Sequence, residues 1–489
     1  MNEVRNRGNS VFVFKETHMK HILMILLLTI SLLACIPQEQ VSDVQIYEGP
    51  KTMKSSEHMQ VFVNDEELFV YETRVNFEHV WSWKTPETIA PVVIFDFLGT
   101  VNMTIHLPFN PQEAVIKPLA HNKITQIQSN QVSFSLDKPG SYIVEFDQDE
   151  KKVLHIFTQS IDNEVPYETD QNEDMIFFGP GEHDIGTYEL YSNQTVYIAG
   201  GAVIHGKFIG YQVQHVTIKG RGIITGENYD RTETQAFIPL EFQHSSHINI
   251  EGITVLDPAG WAIHSYFNSD LRITDIHIIT ARQNGDGISL QSNQRVYVAN
   301  SFVRSWDDSL VVKNYDLGSS SQILFEDMIL WTDLAQSMEV GYETYGDFID
   351  DVIFRNITVL YNFHKAVISI HNGDQALITN ITFDNIIIEK AYMNGDQLTS
   401  INDDFLIDIG IVDHPLWSTS NDRGYISEIV IQNVFVLEGL TTLKIKISGY
   451  DDLHSISNVT FENILMYGKN FNFVDPFFEI NSYVSEISY

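Results

Sequence analysis

The sequence predicts an all-β protein in which a small β-sandwich precedes a parallel β-helix. Short apolar runs separated by turn residues fill the first part of the chain, and similar runs then recur at a nearly regular interval. No amphipathic helical stretch long enough to supply crossover connections separates the recurring runs. This argues against a doubly wound α/β sheet.

The sandwich is predicted for residues 45–160. Its runs, such as APVVIFDFLG and VSFSLDKPGSYIVEFD, are rich in Val, Ile, Phe and Tyr and are bounded by Gly, Pro, Asn or Asp. Short strands with this spacing are typical of a small antiparallel sandwich. A polar linker, residues 161–174, follows it.

The β-helix is predicted for residues 175–489. Eight similar runs begin at Ile248, Leu271, Arg295, Gln322, Asp351, Ile381, Glu428 and Val459. Their starts lie 23 to 31 residues apart except for one interval of 47, which leaves room for an insertion in the polar segment 393–425. Periods of 20 to 50 residues are typical of solenoids.

An asparagine recurs in one phase of these runs, at Asn356, Asn385, Asn433 and Asn463. Asparagine tolerates the left-handed backbone region that a sharp bend between strands requires. Stacked copies can also hydrogen-bond to each other along the axis. The pattern therefore predicts an asparagine ladder at one corner of the coils.

Composition and charge limit the possible partners. The chain is 43% hydrophobic and 12% aromatic, which is typical of a globular protein. With 65 acidic and 29 basic residues it carries a formal charge of −36, which disfavours nucleic acid and anionic lipid surfaces. A single cysteine excludes a disulfide framework and a cysteine-based metal site.

The N-terminal part predicts export and lipidation. Residues 1–35 contain a short basic start and the apolar run Ile22–Ala34, which is too short to cross a bilayer. The ending Leu-Leu-Ala-Cys resembles the cleavage box of bacterial lipoproteins, and Cys35 is then the lipidated residue. Residues 1–18 are in that case an extended start and 36–44 a tether. We expect a protein outside the cytoplasm, at the periplasmic or outer face of a bacterial membrane and held there only by the lipid.

Three aspartates form the predicted catalytic site. Asp286 lies in Asn-Gly-Asp-Gly, and Asp307 and Asp308 follow about one coil later. Because rungs stack at about 4.8 Å, these carboxyl groups are expected to face one cleft. Strand alternation places Asp308 in the inward phase, so all three face outward only if the chain bends before Leu310.

Carboxyl groups within a few ångströms of each other cannot all stay ionised near neutral pH, so one is driven towards the protonated form. That division supplies a general acid and a general base. Two other interpretations fit the single motifs: Asp286 can be a turn residue, and the Asp307–Asp308 pair can be a calcium site.

These motifs resemble glycoside hydrolase family 28, the polygalacturonases, and more loosely family 49, the dextranases and isopullulanases. The likeness covers roughly 175–480, and the sandwich before the β-helix is more similar to family 49. The resemblance implies a right-handed β-helix and an inverting mechanism without a metal or cofactor. It implies that Asp307 protonates the leaving oxygen and that Asp286 and Asp308 hold and deprotonate a water.

Two motifs depart from family 28. Its Gly-His-Gly is replaced by a stretch with Gln336 and Ser337, and its Arg-Ile-Lys by Ser369-Ile370-His371. The basic pair of that second motif contacts the uronate carboxylate in polygalacturonases. Its loss argues against a galacturonan substrate.

Further residues on neighbouring rungs are predicted to contact the sugar. They are Asn284, Lys313, Glu339, Tyr342, Glu343, His371, Trp261, His264 and Trp306. The aromatic members can stack on a pyranose face, although packing roles also suit them.

The sequence therefore predicts an inverting glycoside hydrolase that acts on a poly- or oligosaccharide. Two alternatives use the same fold. One is a polysaccharide lyase, and the other is a carbohydrate-binding β-helix without catalytic activity.

Overall fold

The computed structural model describes residues 43–78, 81–393, 405–440, 443–474 and 476–489. The predicted signal segment, Cys35 and most of the predicted tether lie outside these ranges. The described part of the chain belongs to one compact unit, Asp43–Tyr489. It contains no α-helix, only 3-10 turns at Leu119–His121 and Glu168–Asp170. None of its helices is long and apolar enough to cross a membrane.

Eleven strands form the N-terminal part: β1 Asp43–Ile46, β2 Gln60–Val63, β3 Glu66–Leu68, β4 Tyr71–Arg74, β5 Ile89–Leu98, β6 Val101–His106, β7 Ala114–Lys117, β8 Gln126–Gln128, β9 Gln131–Leu136, β10 Ser141–Phe146 and β11 Asp149–Gln159. One sheet has the order β1-β5-β11-β10-β7, with β4 also paired to β5, and the other has the order β3-β2-β6-β9-β8. Apolar side chains of both sheets, such as Val61, Met103, Phe95 and Val144, form one buried core. This is the predicted sandwich, and β1 begins slightly before its predicted start.

Twenty-seven strands form the coils: β12 Met175–Phe178, β13 Gly181–Glu189, β14 Thr195–Ile198, β15 Ala202–Tyr211, β16 Gln214–Gly220, β17 Ile223–Thr225, β18 Leu240–Gln243, β19 Ser246–Glu251, β20 Thr254–Leu256, β21 Ile263–Tyr266, β22 Ser269–Thr274, β23 His277–Ile279, β24 Ile288–Gln291, β25 Gln294–Ala299, β26 Phe302–Ser305, β27 Leu310–Glu326, β28 Ile329–Thr332, β29 Met338–Asn362, β30 Ile368–Asn372, β31 Leu377–Ala391, β32 Phe405–Ile411, β33 Tyr425–Gly439, β34 Lys444–Ser448, β35 Ile456–Met466, β36 Lys469–Asn470, β37 Phe478–Ile480 and β38 Val484–Ser488. The pairings between successive coils are parallel, for example β19 with β22 and β22 with β25.

The register of the coils confirms the repeat seen in the sequence. One column of paired residues runs through Ile248, Leu271, Val296, Ile323, Val352, Ile381, Ile429 and Val459. The eight predicted runs therefore stack in the predicted order. In some of them the residue in this column lies one position after the predicted start of the run. Their inward side chains form a continuous buried core. Burial of that apolar column is the main force that holds the register, because a slip of one residue exposes it.

The sandwich packs against the outside of the coils. Phe157 of β11 stacks on His277 at 4.2 Å between ring centroids, and a buried apolar cluster spans the two parts. Arg221 of the coils donates to the buried Asp96 of β5 at 2.8 Å. These contacts hold the sandwich against the coils.

The predicted asparagine ladder is present. All four asparagines adopt a positive φ of 55° to 57°. Asn385 donates to Asn356 and Asn463 donates to Asn433, each at 2.9 Å, while Asn433 donates to Asp384 at 2.9 Å. The hydrogen bonds of the ladder satisfy polar side chains at a bend whose positive φ most residue types disfavour.

Replacement of Asn385 separates the two contributions of the ladder. Asn385→Ala is expected to lower the free energy of unfolding by about 2 kcal/mol, because it loses both the hydrogen bond and the tolerance of a positive φ. Asn385→Gly keeps that tolerance and is expected to lose about half as much. Urea unfolding followed by fluorescence measures both. Equal losses in the two variants would contradict this explanation.

Candidate active site

A cavity of about 620 Å³ opens on the side of the coils that carries the three aspartates. Its lining contains five acidic and two basic side chains together with four tryptophans. The lining residues are Trp81, Trp83, Glu233, Trp261, Gln283, Asn284, Asp286, Asp307, Asp308, Lys313, Gln336, Tyr342, Glu343, Lys365, His414, Leu416 and Trp417. All three predicted carboxyl groups therefore share one space.

Asp286 is placed by a tight turn whose residues are set by close packing. Asn284 takes a positive φ of 51°. A Cβ at Gly285 would lie 2.5 Å from the carbonyl oxygen of Arg282, and one at Gly287 would lie 2.3 Å from a methyl group of Val303. Asn284 and the glycines thus meet the needs of the turn. Asp286 itself turns its carboxyl group into the cavity.

Asp307 and Asp308 occupy a bend between β26 and β27. The Gly287 N–H donates to the carbonyl oxygen of Asp308 at 2.8 Å, so the bend lies directly beside the Asp286 turn. The N–H of Asp308 donates to the Asp307 carboxylate at 3.1 Å. The N–H of Gln336 donates to the Asp308 carboxylate, also at 3.1 Å. This is the bend that the strand alternation required, and it turns both side chains into the cavity.

A chain of buried hydroxyl groups lies beneath this bend. Ser305 donates to the carbonyl oxygen of Asp307 at 2.7 Å and pairs with Ser309 at 2.7 Å. Ser309 pairs with Thr332 at 2.7 Å, and Thr332 with Ser337 at 2.8 Å. These hydrogen bonds satisfy the polar groups of the bend inside the coil and hold its backbone in place.

Burial raises the pKa values of all three carboxyl groups, and the charge of a neighbouring aspartate adds to the rise at Asp286 and Asp308. Asp286 is 3% exposed, and burial together with the charge of Asp307 raises its pKa well above the usual range. Burial and the charge of Asp307 raise the pKa of Asp308 to about 7. The pKa of Asp307 is also raised by burial, while Lys365 and Lys313 oppose that rise. The cluster therefore retains a proton near neutral pH.

Lys313 forms a buried ion pair with Glu343. Its Nζ lies 3.0 Å from a Glu343 carboxylate oxygen, and the Tyr315 hydroxyl donates to the other oxygen at 2.9 Å. Burial alone would lower the pKa of Lys313, but Glu343 and Asp286 outweigh it and raise that pKa well above the usual value. Lys313 is thus a fixed cation at the edge of the carboxyl cluster.

Five of the residues predicted to contact a sugar do line the cavity: Asn284, Lys313, Tyr342, Glu343 and Trp261. The remaining four do not. Trp306 is only 1% exposed and packs edge-on against Trp81 at 5.2 Å. Neither face of the ring is accessible in this structure, so it offers no surface for the expected sugar contact.

His264, Glu339 and His371 also lie outside the cavity lining. The His264 ring is hydrogen-bonded to Gln291 at 3.0 Å. Glu339 is fully buried and contacts His371 Nδ1 at 2.9 Å. Burial opposes protonation of His371, but Glu339 and Asp408 outweigh it and raise its pKa to about 10. The polar partners that the structure shows for these side chains are other protein groups, and their expected sugar contacts stay predictions.

The Glu339–His371 pair instead supports Tyr342. The Tyr342 ring lies parallel to the His371 ring, with 4.1 Å between centroids. Sequence spacing placed all three on neighbouring rungs correctly. It could not show that two of them lie below the third.

Several lining residues were not anticipated. They lie in connections that lack the coil repeat, or at positions that carry no distinct motif. These residues are Trp81, Trp83, Glu233, Gln283, Lys365, His414, Leu416 and Trp417. His414, Leu416 and Trp417 lie in the insertion between β31 and β33, whose presence the interval of 47 residues did indicate. Among the described residues, no group of three or more His, Cys, Asp or Glu side chains is arranged to hold a metal ion.

Comparisons with known proteins agree with the resemblance predicted from the motifs. The model of the glycosyl hydrolases family 28 matches residues 190–399, which include all three aspartates. A probable endopolygalacturonase D of Neosartorya fischeri is 25% identical over 167 residues, covering 32% of this chain and 32% of the relative. This chain thus spans about a third of that relative's length in the match.

A solved structure extends the likeness to the N-terminal part. Dex49A from Penicillium minioluteum superposes with a TM-score of 0.65 at 16% identity, covering 91% of this chain and 96% of that structure. At this identity the likeness shows the fold. It confirms the expected architecture, a right-handed parallel β-helix preceded by a β-sandwich.

The raised pKa of Asp308 predicts a pH-dependent cost to stability. An unfolded chain releases this proton near pH 4, whereas the folded chain holds it to about pH 7, so folding becomes less favourable as the pH rises between those values. Asp308→Asn removes the cost. Its melting temperature is expected to match that of the wild type near pH 4 and to exceed it by a few degrees at pH 7.5.

Asp347→Asn is the matched control, because Asp347 is exposed and lies outside the cavity. Thermal melts at pH 4, 5.5 and 7.5 test the difference. A gap between Asp308→Asn and wild type that does not change with pH would contradict the burial argument.

Proposed function

We propose that this protein is an inverting glycoside hydrolase that cleaves O-glycosidic bonds of a poly- or oligosaccharide. The observation that carries the proposal is the set of three buried carboxyl groups with raised pKa values in one cavity. Inverting hydrolysis needs one protonated carboxyl group to assist the leaving oxygen and one carboxylate to activate a water. The family 28 match to the same residues supports it.

In this mechanism Asp307 donates the proton to the glycosidic oxygen, while Asp286 and Asp308 bind the water and accept its proton. Burial raises the pKa of Asp286 well above the usual range, and the charges of Asp307 and Asp308 add to that rise, so in the empty cavity the shared proton favours Asp286. A glycosidic oxygen placed at Asp307 accepts a hydrogen bond only from the protonated acid. Substrate binding therefore draws the proton to Asp307 and leaves its neighbours ionised.

The charge of the lining favours an uncharged sugar over a uronate. Five acidic side chains face two lysines, and Lys313 is already paired with Glu343. A uronate carboxylate beside the aspartate cluster would meet like charge in a poorly solvated space. The replacement of Arg-Ile-Lys by Ser369-Ile370-His371 acts in the same direction, because His371 is buried and held by Glu339.

A substrate screen tests the reaction class. The chain is incubated with dextrans, other neutral glucans, galactans and pectins, and NMR follows the anomeric proton of the first product. We expect a reducing sugar released with inverted configuration. Retained configuration would reject the mechanism, and an unsaturated product with a new ultraviolet absorbance would identify a lyase.

Asp307→Asn is expected to lower kcat by about 10²- to 10⁴-fold, because the amide cannot donate the proton that the leaving oxygen needs. The melting temperature is expected to stay at or above that of the wild type, because a buried ionisable group is removed. Asp347→Asn, outside the cavity, is the control and should keep wild-type kcat. Full activity of Asp307→Asn would reject its role as the acid.

Lys365 provides a test of the electrostatics. Its charge lowers the pKa values of Asp307 and Asp308, so Lys365→Met should raise both. Both limbs of the plot of kcat/KM against pH are then expected to move to higher pH. Lys51→Met, which alters an exposed lysine outside the cavity, should leave the profile in place. A Lys365→Met profile that stays unmoved, or moves to lower pH, would contradict the proposed coupling.

A further inference from the structure

The N-terminal part of the chain contributes side chains to the cavity. Trp81 and Trp83 lie in the connection between β4 and β5 of the sandwich, and both line the cavity with Asp286 and Asp307. No other residue of the described sandwich region lines it. A sandwich that only supported the coils would not place two tryptophans in this cavity.

Trp81 is fixed by the residue that precedes Asp307. Its ring packs edge-on against Trp306, with 5.2 Å between centroids and 82° between planes. The Trp306 indole N–H donates to the carbonyl oxygen of Glu78 at 3.2 Å. Trp306 therefore connects the aspartate bend to this connection of the sandwich.

Trp83 is fixed by the turn that carries Asp286. The guanidinium of Arg231 lies 4.8 Å from the centroid of the Trp83 ring. Arg231 is buried and donates to the carbonyl oxygen of Gln283 at 3.0 Å and to the side chain of Asn284. The position of the indole is thus set by the same residues that shape the turn before Asp286.

The connection is also docked by contacts that involve neither tryptophan. Asn76 donates to the carbonyl oxygen of Ala281 at 3.0 Å. Arg74 pairs with the buried Asp257, which also binds Arg282 at 2.7 Å. Removal of one indole therefore leaves the connection attached to the coils.

Trp83 remains 44% exposed although it lines a cavity and has a cation against its ring. A large aromatic surface left accessible beside catalytic groups is typical of a ligand contact. The apolar C–H face of a pyranose is the complementary surface. Trp261 and Trp417 of the coils present further indoles to the same cavity.

We propose that Trp83, with Trp81 packed against Trp306, forms a sugar-stacking subsite, so that the N-terminal sandwich is part of the substrate-binding site. This proposal rests on the proposed hydrolase function. Trp83 takes no part in proton transfer. It contributes to the binding of the sugar chain.

Binding is tested in the Asp307→Asn background, so that no substrate is consumed. Isomaltohexaose and hexagalacturonate are titrated calorimetrically into this parent and into the same protein with Trp83→Ala, Trp83→Phe or Tyr191→Ala. Tyr191 is a 65% exposed aromatic outside the cavity and serves as the matched control. Melting temperatures verify that each variant is folded.

For the hexasaccharide that the parent binds, Trp83→Ala is expected to weaken binding by about 3- to 10-fold, the range expected of one aromatic stacking contact. Trp83→Phe should recover most of the loss, and Tyr191→Ala should bind as the parent does. In the active enzyme, Trp83→Ala should raise KM by a similar factor and change kcat little.

Parent-like affinity in Trp83→Ala, or equal weakening by Trp83→Ala and Trp83→Phe, would overturn the stacking subsite. If the active enzyme still cleaves a glycan in either case, the proposed hydrolase function stands. Binding that depends on Trp83, without any cleavage by the wild type, would instead support the subsite and reject the hydrolase. If neither hexasaccharide binds the parent, the subsite is rejected.

Discussion

The burial of three neighbouring carboxyl groups in one cavity is the constraint on which the rest of the site depends. Asp286, Asp307 and Asp308 are each less than a tenth exposed, and burial raises all three pKa values. Such a cluster is unfavourable for folding, because each deprotonation places another charge in a poorly solvated space. Lys313 and Lys365 reduce that cost without removing it. Because ionisation of the cluster remains unfavourable, the cluster keeps a proton at a pH where isolated aspartates have lost theirs.

The β-helix tolerates this cost because its register is fixed elsewhere. A continuous apolar column inside the coils holds their register, and the asparagine pairs at one corner support the later coils. The aspartate bend is stabilised from beneath by the buried hydroxyl chain that begins at Ser305. The turn before it depends on glycines that allow close backbone approach. Close backbone packing and the hydroxyl chain thus help to hold the two motifs side by side.

Much of this could be predicted from the sequence, because a solenoid makes positions one period apart into spatial neighbours. The runs from Ile248 to Val459, the asparagine ladder and the pairing of the two aspartate motifs all follow from that rule. Side-chain direction near a bend does not follow from it. Trp306 and Glu339 share the correct rungs yet lie below the surface, because Trp81 packs on Trp306 and His371 pairs with Glu339. Trp81 and Trp83 precede the repeat altogether, so no periodic signal connects them to the site.

The most direct test of the account is a titration of the aspartate carboxyl carbons by ¹³C NMR, with the signal of Asp308 identified by its loss in Asp308→Asn. A shared proton predicts a signal that titrates near pH 7 and moves when Lys365 is replaced. If the carboxyl groups of Asp286, Asp307 and Asp308 all titrated below about pH 5, as ordinary aspartates do, no proton would be shared in the cavity and the account would be wrong.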